Sequence, residues 1–258
     1  MQYRGIFLTI FFCFLVSPLY ADKKPVITIA ADSWCPINCA KPENRLGVGI
    51  ELAKAIFEPL GYHVAYKVMP WTEALRKVRA GQVDAIIGAS RFDDETLIFP
   101  QEPIYNISDD FYVLKGKGWR FQGMHSLQNK KIGVIADYGY GSAISAYIAK
   151  NKANNSLIQL ATGERALMGN IKELQAGRID AIVETKPVME YTIARLHLED
   201  VFEWAGSSPQ DRVYLAFSPA LPKSKALAEQ FDEGMRRLAG REVLDEFYQA
   251  YGLSAADR

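Results

Sequence analysis

Residues 75–87 read LRKVRAGQVDAII, and residues 171–183, which begin 96 residues later, read IKELQAGRIDAIV. Each copy combines apolar residues at helical spacing, a glycine that ends the helix, an aspartate turn and a short apolar run typical of a buried strand. A solenoid needs at least three repeats. Two copies of this helix–turn–strand unit therefore predict two lobes of similar build.

The residues before the first copy predict the rest of a lobe. Residues 26–31 form a β-branched apolar run typical of a buried strand, and a second strand is predicted over 63–68. Helices are predicted over 49–60 and over 72–80, the second with Thr72 as its N-cap. Strands that alternate with helices form right-handed βαβ units, so we predict an α/β fold with mostly parallel sheets.

Two extended segments, residues 111–114 and 213–217, are the candidates for strands that cross between the lobes. We therefore predict two similar lobes joined by two hinge strands. On this division lobe 2 comprises residues 113–215, and lobe 1 comprises residues 22–112 and 216–258.

Composition excludes several classes of function. The chain has 258 residues, of which 49% are hydrophobic, and this is enough for a globular core. Its 30 Lys and Arg residues balance 30 Asp and Glu residues, so it lacks the excess positive charge that neutralises nucleic-acid phosphates. We therefore expect a small-molecule ligand and no nucleic-acid partner.

The first 21 residues have the pattern of a secretory signal peptide. Arg4 precedes an apolar run over residues 6–16, and the small residue Ala21 ends the segment. The apolar run is shorter than the roughly 20 residues of a membrane-spanning helix. An uncleaved anchor is the alternative interpretation. We predict cleavage after Ala21 and a mature protein in the periplasm.

The cysteines are interpreted in the light of export. Cys13 leaves with the signal peptide, so Cys35 and Cys39 remain as an even pair in an oxidising compartment. This pair predicts a local disulfide. A metal site would need more ligands, and the three histidines show no ligand spacing. We therefore expect neither a metal nor another cofactor.

Six short segments carry a family resemblance. In order they read VITIA at 26–30, GIEL at 49–52, AGQVDA at 80–85, FPQEPIY at 99–105, KIGV at 131–134 and AGRIDA at 176–181. In this order they resemble the extracytoplasmic solute-binding proteins of ABC transporters, the family that includes the polar amino-acid binders. The resemblance implies the type 2 periplasmic binding protein fold, in which two lobes close over a solute. It also implies a monomer that delivers the solute to a membrane ABC permease.

Two alternative functions stay open at this point. An enzyme on the same fold would resemble the periplasmic cyclohexadienyl dehydratases, with Glu184 as a buried general acid. A sensor would present its ligand to a membrane receptor, and nothing in the sequence separates it from a transport protein. Because no catalytic set is evident, we expect a binding protein rather than an enzyme.

Ligands of parallel α/β sheets bind beyond the carboxyl ends of the strands, which selects four loops here. Trp34 follows the first strand, and its indole can stack on a ligand or pack into the base of the loop. Trp71, just before the second helix, has the same two interpretations. Ser90 follows the third strand, at a position where the resemblance implies a ligand-binding hydroxyl group.

The arginine that binds the ligand carboxylate in α-amino acid binders is missing from its usual position. In those proteins it stands three residues after the hydroxyl residue. Here that position falls at Asp93, or at the nearest at Glu95, and both are acidic. Arg91 is therefore the local candidate for carboxylate recognition. The alternative for Arg91 is a surface ion pair with Asp93 or Asp94.

The second lobe offers backbone donors and two tyrosines. Residues 137–142 read DYGYGS and precede a predicted helix, whose N-terminal N–H groups can bind an anionic or carbonyl oxygen. Gly139 is the candidate backbone contact. Tyr138 and Tyr140 are candidates for the wall of the pocket, or they pack within the lobe.

The last candidates follow the strand of the second repeat copy. Thr185 stands where amino-acid binders have an aspartate for the ligand ammonium, and Glu184 is its neighbour. Alternation along a strand predicts that these two side chains point to opposite faces. With both amino-acid-binding residues replaced, the sequence argues against an ordinary α-amino acid and favours another small polar solute.

Overall fold

The computed structural model describes residues 24–40, 45–209, 211–240 and 243–254. The predicted signal peptide lies outside these ranges, and no helix within them is long and apolar enough to cross a membrane. In chain order the strands are β1 (Val26–Ala31), β2 (His63–Val68), β3 (Ala85–Ala89), β4 (Tyr105–Ile107), β5 (Asp110–Leu114), β6 (Ile132–Ile135), β7 (Ile158–Ala161), β8 (Ala181–Glu184), β9 (Phe202–Ser207) and β10 (Asp211–Phe217). The α-helices are α1 (Val48–Phe57), α2 (Trp71–Arg79), α3 (Ser142–Asn151), α4 (Ala166–Gln175), α5 (Lys186–Leu196), α6 (Ser224–Ala239) and α7 (Val243–Gln249).

The strands form two five-stranded sheets with the same layout. The first has the order β2-β1-β3-β10-β4 and the second has the order β7-β6-β8-β5-β9. In each sheet the first three strands are parallel, and the last two pair antiparallel. The predicted pair of similar α/β lobes is confirmed. The sheets are mixed rather than mostly parallel, because β5 and β10 enter each sheet directly from the other lobe without a crossover helix.

The crossings between the lobes lie earlier in the chain than predicted. All of β5 pairs within the second sheet, and all of β10 pairs within the first. The chain therefore changes lobes at residues 108–109 and again between the end of β9 at Ser207 and the start of β10 at Asp211. The predicted boundaries, between residues 112 and 113 and between 215 and 216, fall inside these two strands. Apolar runs mark a buried strand, but they do not say which sheet buries it.

The β-branched run at residues 26–31 forms β1, and residues 63–68 form β2, as predicted. Helix α2 begins at Trp71. Its N-cap residue is Pro70, and no side chain makes a capping hydrogen bond there. The prediction that Thr72 caps this helix is wrong. The Thr72 hydroxyl instead donates to Asp137 Oδ2 at 2.7 Å, in the opposite lobe.

The repeated turn has the same structure in both lobes. In the first lobe Asp84 Oδ2 accepts a bond from the Thr28 backbone N–H at 2.7 Å, and the Asp84 N–H donates back to the Thr28 carbonyl. In the second lobe Asp180 Oδ2 accepts from the Lys131 N–H at 2.8 Å, with the same reciprocal bond. The aspartate shared by the two copies thus joins the start of β3 to the neighbouring strand β1, and the start of β8 to the residue just before β6.

Candidate ligand-binding site

The carboxyl ends of β1, β3, β6 and β8 meet where the lobes face each other, and a cavity lies between them. It is lined from both lobes by Asp32, Trp34, Trp71, Ile87, Gly88, Ser90, Asp93, Ile107, Asp109, Tyr138, Gly139, Tyr140, Glu184, Thr185 and Val213. The space open to the centres of water molecules is about 40 Å³. A wider groove of about 450 Å³ shares three of these lining residues, Asp32, Trp34 and Tyr138.

The loop after β1 places Trp34 at the centre of the cavity. The Trp34 N–H donates to the Asn38 carbonyl at 2.7 Å, and the predicted disulfide joins Cys35 to Cys39 within the same tight loop. The Trp34 side chain is only 7% exposed. Its Nε1–H donates to Glu184 Oε1 of the other lobe at 2.9 Å. Trp34 therefore both packs in the base of its loop and connects the two lobes.

Asp93 occupies the place expected for the missing arginine, and its carboxylate is surrounded by donors. Oδ2 accepts from the Ser90 N–H at 2.7 Å and from the Ser90 hydroxyl at 2.9 Å. Oδ1 accepts from the Gly139 N–H of the other lobe at 2.7 Å and from Trp71 Nε1–H at 3.0 Å. A Cβ atom on Gly139 would lie 2.3 Å from the Asp93 nitrogen, so only glycine allows this approach.

A second bridge between the lobes joins Tyr138 to Asp32. The Tyr138 hydroxyl donates to Asp32 Oδ2 at 2.5 Å. Burial raises the pKa of Asp32 to about 6 and raises the pKa of Tyr138 well above its ordinary value. The tyrosine thus keeps its proton and remains the donor. Its ring lies edge-on to Trp71, with the ring centroids 6.0 Å apart.

The glycine loop before α3 offers backbone donors, as predicted, but side chains of this same protein accept them. Asp93 accepts from Gly139, and Asp109 Oδ2 accepts from the Gly141 N–H at 2.8 Å. Asp109 also accepts from the Ser208 hydroxyl at 3.1 Å, which links the two crossing segments. Tyr140 presents its ring to the cavity, while its hydroxyl accepts from the Ile135 N–H of its own lobe.

Glu184 and Thr185 both line the cavity, although strand alternation predicted opposite faces. The prediction fails because β8 ends at Glu184 and Thr185 is already the N-cap of α5. Glu184 Oε1 accepts from Trp34 and from the Thr185 N–H, the latter at 2.8 Å. Glu184 Oε2 and Thr185 Oγ1 are buried and have no hydrogen-bond partner in the part of the chain that the structure describes.

Eight of the nine predicted ligand-binding residues line this cavity, namely Trp34, Trp71, Ser90, Tyr138, Gly139, Tyr140, Glu184 and Thr185. Arg91 is the exception. It is exposed, and its guanidinium lies 4.7 Å from the ring centroid of Phe99 and 5.5 Å from that of Tyr214. The position of Arg91 therefore does not support carboxylate recognition, and the role of the other eight residues in binding a solute stays a prediction.

Sequence reasoning missed three acidic residues of the cavity. Asp32 was visible as the residue that follows β1, and Asp93 as the acidic residue at the arginine position. Asp109 gave no signal, because it lies in a crossing segment whose boundary was itself misplaced. Burial raises the pKa of Asp93 and of Asp109 to about 6, and it raises the pKa of Glu184 to about 8.

The cavity is therefore acidic and aromatic, with no Lys, Arg or His among its described lining residues. Over the part of the chain that the structure describes, no group of His, Cys, Asp and Glu side chains has the arrangement of a metal site. The chemistry that the lining supports is hydrogen-bond acceptance and contact with aromatic faces.

Comparison with known proteins agrees with this two-lobed arrangement. The profile of the bacterial extracellular solute-binding proteins, family 3, matches residues 26–254. The chain belongs to this family. The membership and the fold that the sequence resemblance implied are thus confirmed for this family 3 protein. No curated protein matches its sequence significantly.

Solved structures with the same fold include transport proteins and a sensor. AbpA from Streptococcus pneumoniae, bound to L-arginine, is 22% identical over 88% of this chain and 94% of its own, with a TM-score of 0.69. ArtJ from Geobacillus stearothermophilus, which binds arginine, lysine and histidine, is 18% identical over 90% and 96%, with a TM-score of 0.71. A histidine kinase sensor domain is 16% identical over 88% and 96%, with a TM-score of 0.72. At these identities the likeness concerns the fold alone.

Proposed function

We propose that this family 3 protein captures a small polar solute between its lobes in the periplasm and delivers it to a membrane ABC permease. The observation that carries the proposal is a cavity built from the strand ends of both lobes, with the buried Glu184 Oε2 and Thr185 Oγ1 left unpartnered. Buried polar atoms are normally paired, so atoms of this kind in a cleft favour a ligand that bonds to them.

The connection between the lobes supports a mechanism of hinge closure. Two short connections join the sheets, one at residues 108–109 and one between the end of β9 and the start of β10. The other contacts described above are side-chain and loop contacts across the cleft. A solute drives closure only by the extent to which it binds the closed arrangement more tightly than the open one. Trp34, Asp93 and Tyr138 are among the residues that already connect the lobes.

The transport assignment draws on the family and its neighbours. AbpA is bound to L-arginine, and ArtJ binds arginine, lysine and histidine. These neighbours favour an amino-acid-like or related small organic solute for this protein. The predicted signal peptide supports the periplasmic location, and a monomer that meets its permease is the arrangement we propose.

The enzyme alternative has one observation in its favour. Glu184 lies in the cavity with its pKa raised to about 8 by burial, which suits a general acid near neutral pH. An anionic substrate of the cyclohexadienyl type would, however, meet four carboxyl groups there. These are Asp32, Asp93, Asp109 and Glu184. We therefore favour binding over dehydration.

A thermal-shift screen tests the proposal. Mature protein, freed of bound solutes by unfolding and refolding, is heated with amino acids, amines, small carboxylates, sugars and prephenate-like acids in turn. A solute at a hundredfold excess over its dissociation constant stabilises the folded state by about 2.7 kcal/mol. We expect one class to raise the Tm without being consumed. A solute whose effect fades as product accumulates would establish the enzyme instead.

A pair of glycine variants locates the solute. Gly139→Ala places a Cβ atom 2.3 Å from the Asp93 backbone, so it prevents the lobes from meeting and should abolish the thermal shift. Gly169→Ala is the matched control, because a Cβ atom there, in α4 of the same lobe, meets nothing within 4 Å. An unchanged shift in Gly139→Ala would place the solute outside the cleft.

A further inference from the structure

We propose that the cleft binds an organic ammonium or guanidinium ion that carries no carboxylate group, because Asp93 of the protein already fills the position that a ligand carboxylate would need. This proposal rests on the solute-binding function proposed above and names its ligand class.

The first step concerns the donors. Four N–H and O–H groups converge on the Asp93 carboxylate, three from the first lobe and one, Gly139 N–H, from the second. Convergent donors of this kind form a site for a carboxylate. The N–H of Gly141 is likewise taken by Asp109, and that of Thr185 by Glu184. To bond any of these donors, a ligand carboxylate would have to displace one of these side chains.

The second step concerns charge. The described lining contains four carboxyl groups and no basic side chain. Arg91 is the arginine nearest to Asp93 in the sequence, and it stacks on Phe99 and Tyr214 outside the cavity. An anion in the cavity would therefore meet unopposed negative charge, whereas a cation would be stabilised by it.

The third step concerns two buried polar atoms. Glu184 is 3% exposed and Thr185 is 4% exposed, yet Oε2 of the first and Oγ1 of the second have no partner among the residues that the structure describes. A buried carboxyl oxygen without a bond is costly, and an ammonium or guanidinium group brings several N–H donors but no acceptor. Such a group satisfies the unpaired Glu184 oxygen directly.

The fourth step separates an organic cation from a metal ion. The described residues hold no group of side chains arranged to ligate a metal. The cavity wall instead includes the rings of Trp34, Trp71 and Tyr138, and aromatic faces attract ammonium and guanidinium ions. The cavity itself has room for roughly three water molecules. It adjoins the 450 Å³ groove at Asp32, Trp34 and Tyr138, so a cationic head can lie inside while a longer tail extends outward.

Matched pairs of probes that differ only by a carboxylate test the ligand class. Calorimetric titration of the mature protein compares agmatine with arginine, 1,4-diaminobutane with ornithine, and 3-methylbutylamine with leucine. We expect at least one amine to bind at least 30-fold more tightly than its amino acid. The proposal is overturned if, in every pair for which binding is detected, the amino acid binds at least as tightly as its amine.

The outcomes separate this inference from the function beneath it. If only carboxylates or uncharged solutes such as sugars bind, the inference is wrong while the solute-binding function stands. If no solute of any class binds in titration or in the thermal-shift screen, both are wrong.

The variant Asp93→Ala tests the reason for the selectivity. Removal of the carboxylate frees the Ser90 and Gly139 N–H groups, while Trp71 keeps the Asp137 carbonyl as an acceptor. We therefore expect the preference for amine over amino acid to fall at least tenfold. Asp93→Asn serves as a second variant that keeps the side-chain volume, and it should lower the preference in the same direction. Asp200→Asn, which alters an exposed aspartate paired with Lys115, is the control and should leave the preference unchanged. An unchanged preference in both Asp93 variants contradicts the proposal.

Discussion

The two lobes have the same turn structure at one edge of their sheets and different residues at the other edge. At the edge away from the cleft, Asp84 and Asp180 make the same pair of backbone bonds, and Gly81 and Gly177 have the same φ of +67°. At the cleft edge the lobes differ. The first lobe supplies Asp32, Trp34 and Asp93, whereas the second supplies tyrosines, a glycine loop and Glu184.

The difference shows where the repeat has been kept and where it has not. Each lobe needs a turn that bonds the start of β3 or β8 to the neighbouring part of the sheet, so the same residues suit both copies. The cleft edge instead needs two surfaces that complement each other. Donors in one lobe therefore meet acceptors in the other, as with Gly139 and Asp93, or Tyr138 and Asp32. We call the edge with the turns at Asp84 and Asp180 the framework edge, and the edge with the cavity-lining residues the binding edge. The predictions below test this division.

The largest expected effect is a pH dependence of stability that originates at the cleft edge. Burial raises the pKa of Asp32, Asp93 and Asp109 to about 6 and that of Glu184 to about 8. Between about pH 4 and pH 8 the folded chain therefore binds more protons than the unfolded chain, so its free energy of unfolding falls as pH rises. We expect a loss of about 3 kcal/mol or more across this range, measured by urea unfolding.

Glu184→Gln should remove the upper part of that loss, between pH 6 and pH 8, because it removes the group with the highest pKa. Glu190→Gln, an exposed residue paired with Lys186 on α5, is the control and should leave the slope unchanged. A slope that is the same in both variants would show that the buried carboxyl of Glu184 does not cause the pH dependence.

The same variant should weaken binding of a cation. At pH 8.5 Glu184→Gln keeps an acceptor for the Trp34 N–H but loses the charge, and we expect agmatine affinity to fall about 30-fold, or about 2 kcal/mol. Calorimetry of the wild type, Glu184→Gln and Glu190→Gln measures the difference. Equal affinities would remove Glu184 from the binding edge.

Substitutions at the framework edge should lower the free energy of unfolding and leave the ligand affinity unchanged. Asp84→Ala or Asp180→Ala leaves the backbone N–H of Thr28 or of Lys131 without its acceptor, so each should lower the free energy of unfolding by about 1–2 kcal/mol. The affinity of the folded protein for agmatine should stay within about twofold of the wild type by calorimetry. A large change in affinity would break the division between the two edges.

The smallest expected effect concerns the bond between Trp34 and Glu184. Trp34→Phe keeps most of the aromatic packing and removes the Nε1–H donor, which we expect to cost about 1 kcal/mol of binding free energy, or about fivefold in affinity. Calorimetry at pH 8.5 measures it. A tighter affinity would indicate that the indole competes with the ligand for Glu184.

The sequence predicted the framework better than the site. A β-branched apolar run determines β1 locally, and an even pair of cysteines in an exported chain allowed the disulfide to be predicted. The N-cap at Thr72 was wrong and the role of Asp93 was missed for a shared reason. Both side chains bond across the cleft, to Asp137 and Gly139, and such partners lie far away in the sequence.

The same limit explains Arg91 and Glu184. Arg91 stacks on Tyr214, which belongs to the same lobe but lies far away in the sequence, and Glu184 bonds to Trp34 of the other lobe. Local alternation also fails one residue past the end of β8, where the chain turns into α5.

The most direct test of the central claim is hydrogen–deuterium exchange of the mature protein with and without saturating agmatine. The claim is that the solute lies between the carboxyl ends of the strands, where the two lobes carry different residues. We predict slower exchange in residues 32–38, 88–93, 137–142 and 184–188 of both lobes, with residues 80–84 and 176–180 unchanged. Protection confined to one lobe, or located at the repeated turns, would contradict it.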